Sequence, residues 1–503
     1  MNTQNIEKGD IQGLLTRAYG KLTGAVYTLL KFDDSEKAKT YLSALADRLN
    51  TCDVRPGNGE AINLALTCRG LSHLNLSEDI INTFPFEFIE GMNNDVRKIM
   101  LGDTGPNDPA NWVWGGNNKE DIHALLLVFG EDQAKANEVY QREKDVFSSA
   151  GISEVLSQEG CMLPEGREHF GFRDGISRPA IEGLHPKGGE SENNPFKSGE
   201  FVLGYKNEYD NYSVGPRVNA PGSQTGLPSY EPDPQYSDLG KNGSFLIYRQ
   251  MEQNVPQFWD YLAKQAKDNE ETIKIASKMV GRWPSGTALV LSPDKDTTNP
   301  DESMKQERVS NKFGYWNEDK DGMKCPYGSH IRRTNPRDWL YTEKKSDVAT
   351  EMVRKHAILR RGRAYGKPLT PDMETNNMIE KSKELNGIND GEKRGLHFIA
   401  LVGHINRQFE FVQNAWVKSP NFAGMRTETD PLIGPREVAD RDLAHPDNHI
   451  SRPTQANVVP CAHFTFPDKP IRKRYHNVPQ FTTVIGGAYF FMPGIRALKY
   501  IAS

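Results

Sequence analysis

Cysteine is scarce and unpaired in this sequence. Five residues, Cys52, Cys68, Cys161, Cys325 and Cys461, are scattered over 503 positions, with no CxxC pair. That argues against a disulfide framework or a zinc ribbon and favours a reducing compartment. Membrane-length hydrophobic runs are missing as well. The apolar run from Leu22 to Phe32 ends in Asp33-Asp34 with no small-residue cleavage site, and reads as a strand. The opening Met1-Asn2-Thr3-Gln4-Asn5-Ile6-Glu7 is polar and acidic, unlike a signal peptide. Neither sign of charge dominates: 62 Lys+Arg stand against 67 Asp+Glu, a formal net charge of -5. Nothing in that balance calls for nucleic acid or an anionic membrane as partner. The expectation is a cytoplasmic protein that binds neither, with export by other routes or packaging left open.

What is present is an ordinary globular composition, 36% hydrophobic and 26% charged. The length is too great for one simple core and suggests two domains or a duplicated one. Residues 10–24 carry apolar positions at helical spacing. Strand-like runs follow at 25–32, 61–68 and 123–130, with amphipathic helices at 35–49 and 131–147, a possible short helix near 86–92, and a closing segment at 152–158. A Gly/Pro/Asn/Ser-rich stretch, 184–242, reads as loop and junction, interrupted by a strand at 200–205. The layout then begins again: a strand at 243–250, a helix over 255–280, a strand at 396–403, a helix at 408–416 and a final strand at 489–494. The predicted class is α+β, with antiparallel sheets covered by helices on their outer faces in two ferredoxin-like domains, 1–215 and 216–503.

Three stretches carry chemistry. Cys325-Pro-Tyr-Gly-Ser-His330-Ile-Arg-Arg-Thr-Asn-Pro-Arg337 sets one imidazole among Arg332, Arg333 and Arg337. Such a segment suits a dianionic ligand whose metal needs an axial nitrogen, haem with its propionates being the obvious case. The competing use of a lone histidine is a structural hydrogen bond. Gly171-Phe-Arg-Asp174-Gly175-Ile176-Ser177-Arg178-Pro179 puts one acid between two glycines. It is either an Asp-Gly turn or an acid–base group held ionised by neighbouring arginine. Ile358-Leu-Arg360-Arg361-Gly362-Arg363 offers a cation to polarise an O–O bond, or else a solvated basic stretch. Cys325-Pro326 is a rival haem-ligand pattern, a thiolate before a proline, and would favour oxygen activation.

Taken together with Gly395-Leu396-His397-Phe398, Gly486-Gly487-Ala-Tyr-Phe-Phe-Met-Pro-Gly494 and Asp10-Ile-Gln-Gly-Leu14, these stretches resemble the dye-decolorising peroxidases in order and spacing over nearly the whole chain. The length and the tracts 366–392 and 418–480 resemble the larger subgroup of that family. The resemblance implies a dimeric α+β barrel with one haem b per chain in the C-terminal domain. It implies His330 as the axial iron ligand, in preference to Cys325. It implies Asp174 as distal acid–base, Arg360 as the arginine that supports O–O cleavage, and Leu396 and Phe398 as the apolar lining of the peroxide approach. Arg337 is expected near a propionate, and Ile176 and Ser177 on the cofactor wall. Tyr365 is expected either as an electron relay from bulky donors or as plain packing. The implied partners are hydrogen peroxide and a small or bulky aromatic reductant, with the chain a monomer or homodimer. The alternative is a haem carrier or iron-release protein on the same fold. His397 departs from the family pattern; strand alternation predicts that it points away from the pocket.

Overall fold

The computed structural model describes residues 5–184, 194–296, 311–340, 346–439, 458–468 and 471–503. Its centre is a closed sheet. The first half supplies β1 (Gly24–Phe32), β2 (Glu60–Leu66), β3 (Ala124–Gly130) and β4 (Ile152–Cys161). The second half supplies β5 (Ser244–Gln253), β6 (Leu359–Arg360), β7 (Arg363–Tyr365), β8 (Gly395–Val402) and β9 (Thr482–Met492). The order β5-β9-β2-β3-β1-β4-β7-β8 returns to β5, because β8 also pairs with β5, and β6 adds to the other side of β8. Every named pairing in this sheet is antiparallel. The two halves join at narrow seams, Phe491 opposite Leu66 and Cys161 opposite Ala364. Closure leaves no long unpaired edge.

Alternation assigns the two faces. Tyr27 of β1 meets Tyr248 of β5 and His397 of β8 edge-on, at centroid distances of 6.2 and 5.1 Å. These strands are not hydrogen-bonded neighbours, so the rings meet across the barrel interior. Leu125, Leu127, Phe129, Leu246, Ile399, Leu401 and Phe490 fill the same buried cluster. The opposite faces carry Val26, Leu30, Ile62, Leu126 and Val128, packed under the outer helices. Two of those helices are α1 (Ser35–Ala46) and α2 (Gln133–Ser149), with Asp34 and Asp132 accepting from Lys37 and Lys135 N–H at their N-termini.

Four local expectations need correction. Residues 10–24 form no long helix, only 3-10 turns at Lys8–Asp10 and Gly13–Leu15 before β1. The 200–205 strand is a buried run of turns. The 255–280 helix is two, α3 (Val255–Ala263), which ends at Lys264, and α4 (Asn269–Val280), which Asp268 starts by accepting from the Glu271 N–H at 2.8 Å. The 408–416 helix is π-helical over Asn406–Glu410 and Val412–Lys418. No helix among the described residues is long and apolar enough to cross a membrane.

Candidate active site

Outside the barrel, between the outer face of the second half's strands and the helices over it, lies a cavity of about 520 Å³. Its floor comes from alternation: Leu396 and Phe398 of β8 lie on one face with Met251 of β5, while His397 between them turns inward. His397 is fully buried, with Nδ1 2.8 Å from the Tyr248 hydroxyl and Nε2 3.1 Å from the Glu159 carbonyl. Burial pushes its pKa down to about 4, so it is neutral and structural.

His330 opens the five-residue helix α5 (His330–Thr334). Its Nδ1 lies 2.9 Å from Asp430 Oδ2, and the other Asp430 oxygen accepts the backbone N–H groups of Leu432 and Ile433 at 2.9 and 3.0 Å. Burial works against the imidazolium, but the Asp430 carboxylate outweighs it and raises the His330 pKa. The pair fixes the ring and leaves Nε2 as the nitrogen available to a ligand. The side chain keeps 27% of its surface open, on the cavity.

Asp174 sits on the loop after β4. Gly171 and Gly175 have φ of 93° and 73°, a region closed to most side chains, so the chain can fold back tightly on both sides of the acid. Asp174 Oδ1 accepts from Arg360 Nη1 at 2.8 Å and from the Gly175 N–H at 2.6 Å. Burial would raise this carboxyl; Arg360 and the Gly175 N–H prevail and hold it below the usual carboxylate range. Arg360 is placed by its pairing in β6 with Ala400 of β8. Asp174, Arg360 and His330 all line the one cavity, as do Ile176, Ser177, Arg337, Leu396 and Phe398.

The remaining arginines of the motifs do other work. Arg361 donates to the Leu14 and Leu15 carbonyls at 2.6 and 2.9 Å, and Arg363 to the Tyr19 and Thr23 carbonyls at 3.0 and 2.9 Å. That basic run is a set of buried staples to the N-terminal arm, not a solvated face. Arg332 lies between Tyr315, Tyr327 and Trp339 and pairs with Asp319 at 3.0 Å. Arg333 donates to the carbonyls of Trp416, Ser419 and Glu428. Neither reaches the cavity; among the arginines near His330 only Arg337 does, with its guanidinium also bonded to Asn311 and the Phe313 carbonyl. Cys325 is fully buried among Trp283, Tyr315 and Trp339 and does not line the cavity. Tyr365 is 8% exposed, donates from its hydroxyl to the Met251 carbonyl at 3.3 Å, and does not line the cavity either.

Sequence reasoning missed Asp430, whose partner lies 100 residues away with no local pattern to announce it. It also missed Arg282, a further cation on the cavity wall, and placed Arg178, another, only beside Asp174. Glu168 was missed too, a wall carboxyl that burial pushes up to about 7. Among the described residues no group of three or more His, Cys, Asp and Glu side chains could hold a bare metal ion. The donor set is a single oriented imidazole facing a broad apolar cavity with arginines on its wall. These residues would suit haem, an anionic macrocycle that brings its own metal: His330 could hold the iron and the arginines the carboxylates.

The closed sheet, the cavity on its outer face, the ion-paired acid and the carboxylate-backed imidazole belong to a protein of the α+β barrel class. Residues 41–164 match the family described as the DyP dimeric alpha+beta barrel domain. The chain is 28% identical to the multifunctional dye peroxidase DyP2 of an Amycolatopsis species, covering 93% of this chain and 90% of that protein. It is 28% identical to peroxidase 2 of Mycetinis scorodonius, over 87% and 76%. A solved structure of an ancestral D-type dye-decolorizing peroxidase superposes with a TM-score of 0.69 at 26% identity, covering 99% and 98% of the two chains. The fold is shared with the fungal DyP-type peroxidase of Auricularia auricula-judae, TM-score 0.71 at 23% identity, over 99% and 100%. The chain is similar to dye-decolorizing peroxidases over most of its length, and its fold is theirs.

Proposed function

We propose that this chain reduces hydrogen peroxide at one haem b held in the cavity and oxidises dyes, phenols or other one-electron aromatic donors. The observation that carries the reading is the shared cavity: the His330 ring, fixed by Asp430, and the Asp174–Arg360 ion pair open onto the same space. His330 would bind the iron through Nε2, and Arg337 with Arg178 or Arg282 would stand near the propionates. Haem supplies the redox centre that accepts two oxidising equivalents from peroxide. Asp174, ionised because Arg360 and the Gly175 N–H hold it so, takes a proton from one peroxide oxygen and returns it to the other. Arg360 stabilises the charge that develops as the O–O bond lengthens. Leu396, Phe398 and Ile176 keep the approach apolar and limit it to small molecules. The similar dye peroxidases support the donor class, as does a dye-decolorizing peroxidase of the same fold in complex with 2,6-dimethoxyphenol.

The deciding experiment is haem titration followed by one equivalent of peroxide, read by absorption, then turnover of an anthraquinone dye at mildly acidic pH. A Soret band lost in His330→Ala, a peroxide-induced spectral change and dye bleaching are expected. A coloured protein that passes haem to an acceptor and leaves dye untouched would overturn the enzyme reading in favour of a carrier.

A further inference from the structure

A second cavity, of about 440 Å³, opens where the loop Ala423–Glu428 meets Pro467, Arg472, Arg474 and Tyr327. Nothing in the peroxide chemistry uses it. Its size suits a molecule of two or three fused rings, ligand pockets running from roughly 300 to 1,000 Å³. Three guanidinium groups line it, from Arg426, Arg472 and Arg474. Arg474 is engaged, donating to the Thr427 hydroxyl at 2.7 Å and standing 3.9 Å from Glu428. Arg426 and Arg472 are exposed and form no ion pair among the described residues. Among the described residues Glu428 is the only carboxylate on the wall; it is 4% exposed, and Thr465 donates to it from both its N–H and its hydroxyl. Three cations therefore face one buried, occupied anion, on a chain whose net charge is -5.

The groove is not simply basic. The Arg472 guanidinium lies 6.0 Å from the Tyr327 ring centroid, and Met425 and Pro467 add apolar wall. Guanidinium forks match carboxylate and sulfonate oxygens, while a ring face and a thioether match a flat apolar body. A bare inorganic anion would leave the apolar wall without a partner. The groove also backs onto the segment that carries His330. A side chain at Gly328, two residues before it, would stand 3.4 Å from the Phe464 ring and 3.5 Å from Met425 Sδ. The same loop runs on to Asp430, which holds the His330 ring.

We propose that this groove binds aromatic anions, sulfonated or carboxylated ring systems too bulky for the first cavity, and is where such donors dock. What the bound molecule is for rests on the peroxidase reading; that it binds does not. The test uses 1,5-naphthalenedisulfonate, a redox-inert probe, titrated calorimetrically into the full chain with and without haem. One probe per chain is expected in both forms, with affinity falling as salt rises from roughly 0.05 to 0.5 M and screening lengths shorten. Arg426→Gln/Arg472→Gln should weaken it roughly tenfold at an unchanged Tm. In steady state the double variant should raise KM for a sulfonated anthraquinone dye by a similar factor and leave KM for 2,6-dimethoxyphenol and for peroxide alone. Equal probe affinity in wild type and double variant would overturn the proposal. So would an unchanged dye KM in a variant that has lost the probe. A groove that binds the probe in a protein with no peroxidase turnover would instead sink the enzyme reading and leave the site standing.

Discussion

Asp174 depends on what its neighbours do to its charge. Burial alone would protonate it; Arg360 and the Gly175 N–H keep the carboxylate, so the base form exists from low pH upward. Asp174→Asn should slow the first peroxide step by roughly 10²–10⁴-fold, the usual worth of a positioned acid–base group. Arg360→Leu removes the main cause of the lowered pKa. The carboxyl then rises, and the acid limb of the stopped-flow peroxide rate should move to higher pH; an unmoved limb would mean that another group sets it. Asp430 does not line the cavity and bears on it through its bond to His330. Asp430→Asn keeps the shape but loses the charge behind the ring, and haem affinity measured at the Soret band should fall about 10- to 100-fold, the typical cost of losing a partner behind a metal-binding histidine.

At the scale of the element, α5 is five residues long and cannot be stable alone. It is held from outside. The Ser329 hydroxyl donates to the Lys278 carbonyl of α4 at 2.5 Å, Arg332 is caged by aromatics, and Arg333 reaches three carbonyls across the π-helical turn and the 428 loop. Arg333→Leu would leave those buried carbonyls unpaired. A loss of at least about 2 kcal/mol in urea unfolding is expected, since each orphaned buried acceptor costs about 1–3 kcal/mol. Haem retention should weaken with it, because the same arginine holds the loop that carries Asp430. Loss of stability without loss of haem affinity would show that Asp430 is positioned by its own turn. β8 shows the complementary logic: one strand presents Leu396 and Phe398 to the cavity and His397 to the interior, so neighbouring residues serve unrelated purposes.

At the scale of the molecule, burial of neutral histidine ties stability to pH. His123, His169 and His397 are each held near a pKa of about 4. Below about pH 6.5 the unfolded chain takes up a proton at each site that the folded protein refuses until about pH 4. Stability therefore falls on acidification through that window, by on the order of 3 kcal/mol per histidine. Glu168, raised to about 7, and Asp238, raised to about 6, act with the opposite sign, because there the folded form binds the extra proton. In Glu168→Gln that counterweight is gone, and Tm should drop more steeply between pH 6.5 and 4 than in wild type. Parallel profiles from calorimetry would show that Glu168 titrates normally.

Much of this could be read from the chain itself, because it is written in local terms. Strand runs such as 25–32 and 396–403 carry their own β-propensity and alternation. The glycines around Asp174 report a backbone that only glycine adopts easily, and alternation correctly turned His397 away from the cavity. What the chain could not show depends on distance. The 10–24 segment has helical spacing, yet barrel contacts from Arg361 and Arg363 take up its backbone carbonyls and leave no helix. Four motif arginines, Arg332, Arg333, Arg361 and Arg363, that look like a charge cloud around a ligand or like a solvated face are buried staples. The carboxylate that orients His330 comes from 100 residues away. Residue order by itself determined which side chains could do the chemistry and how each strand would alternate. Only closure of the barrel decided which of them meet, because an ion pair or a hydrogen bond acts over a few ångströms and takes no account of separation along the chain.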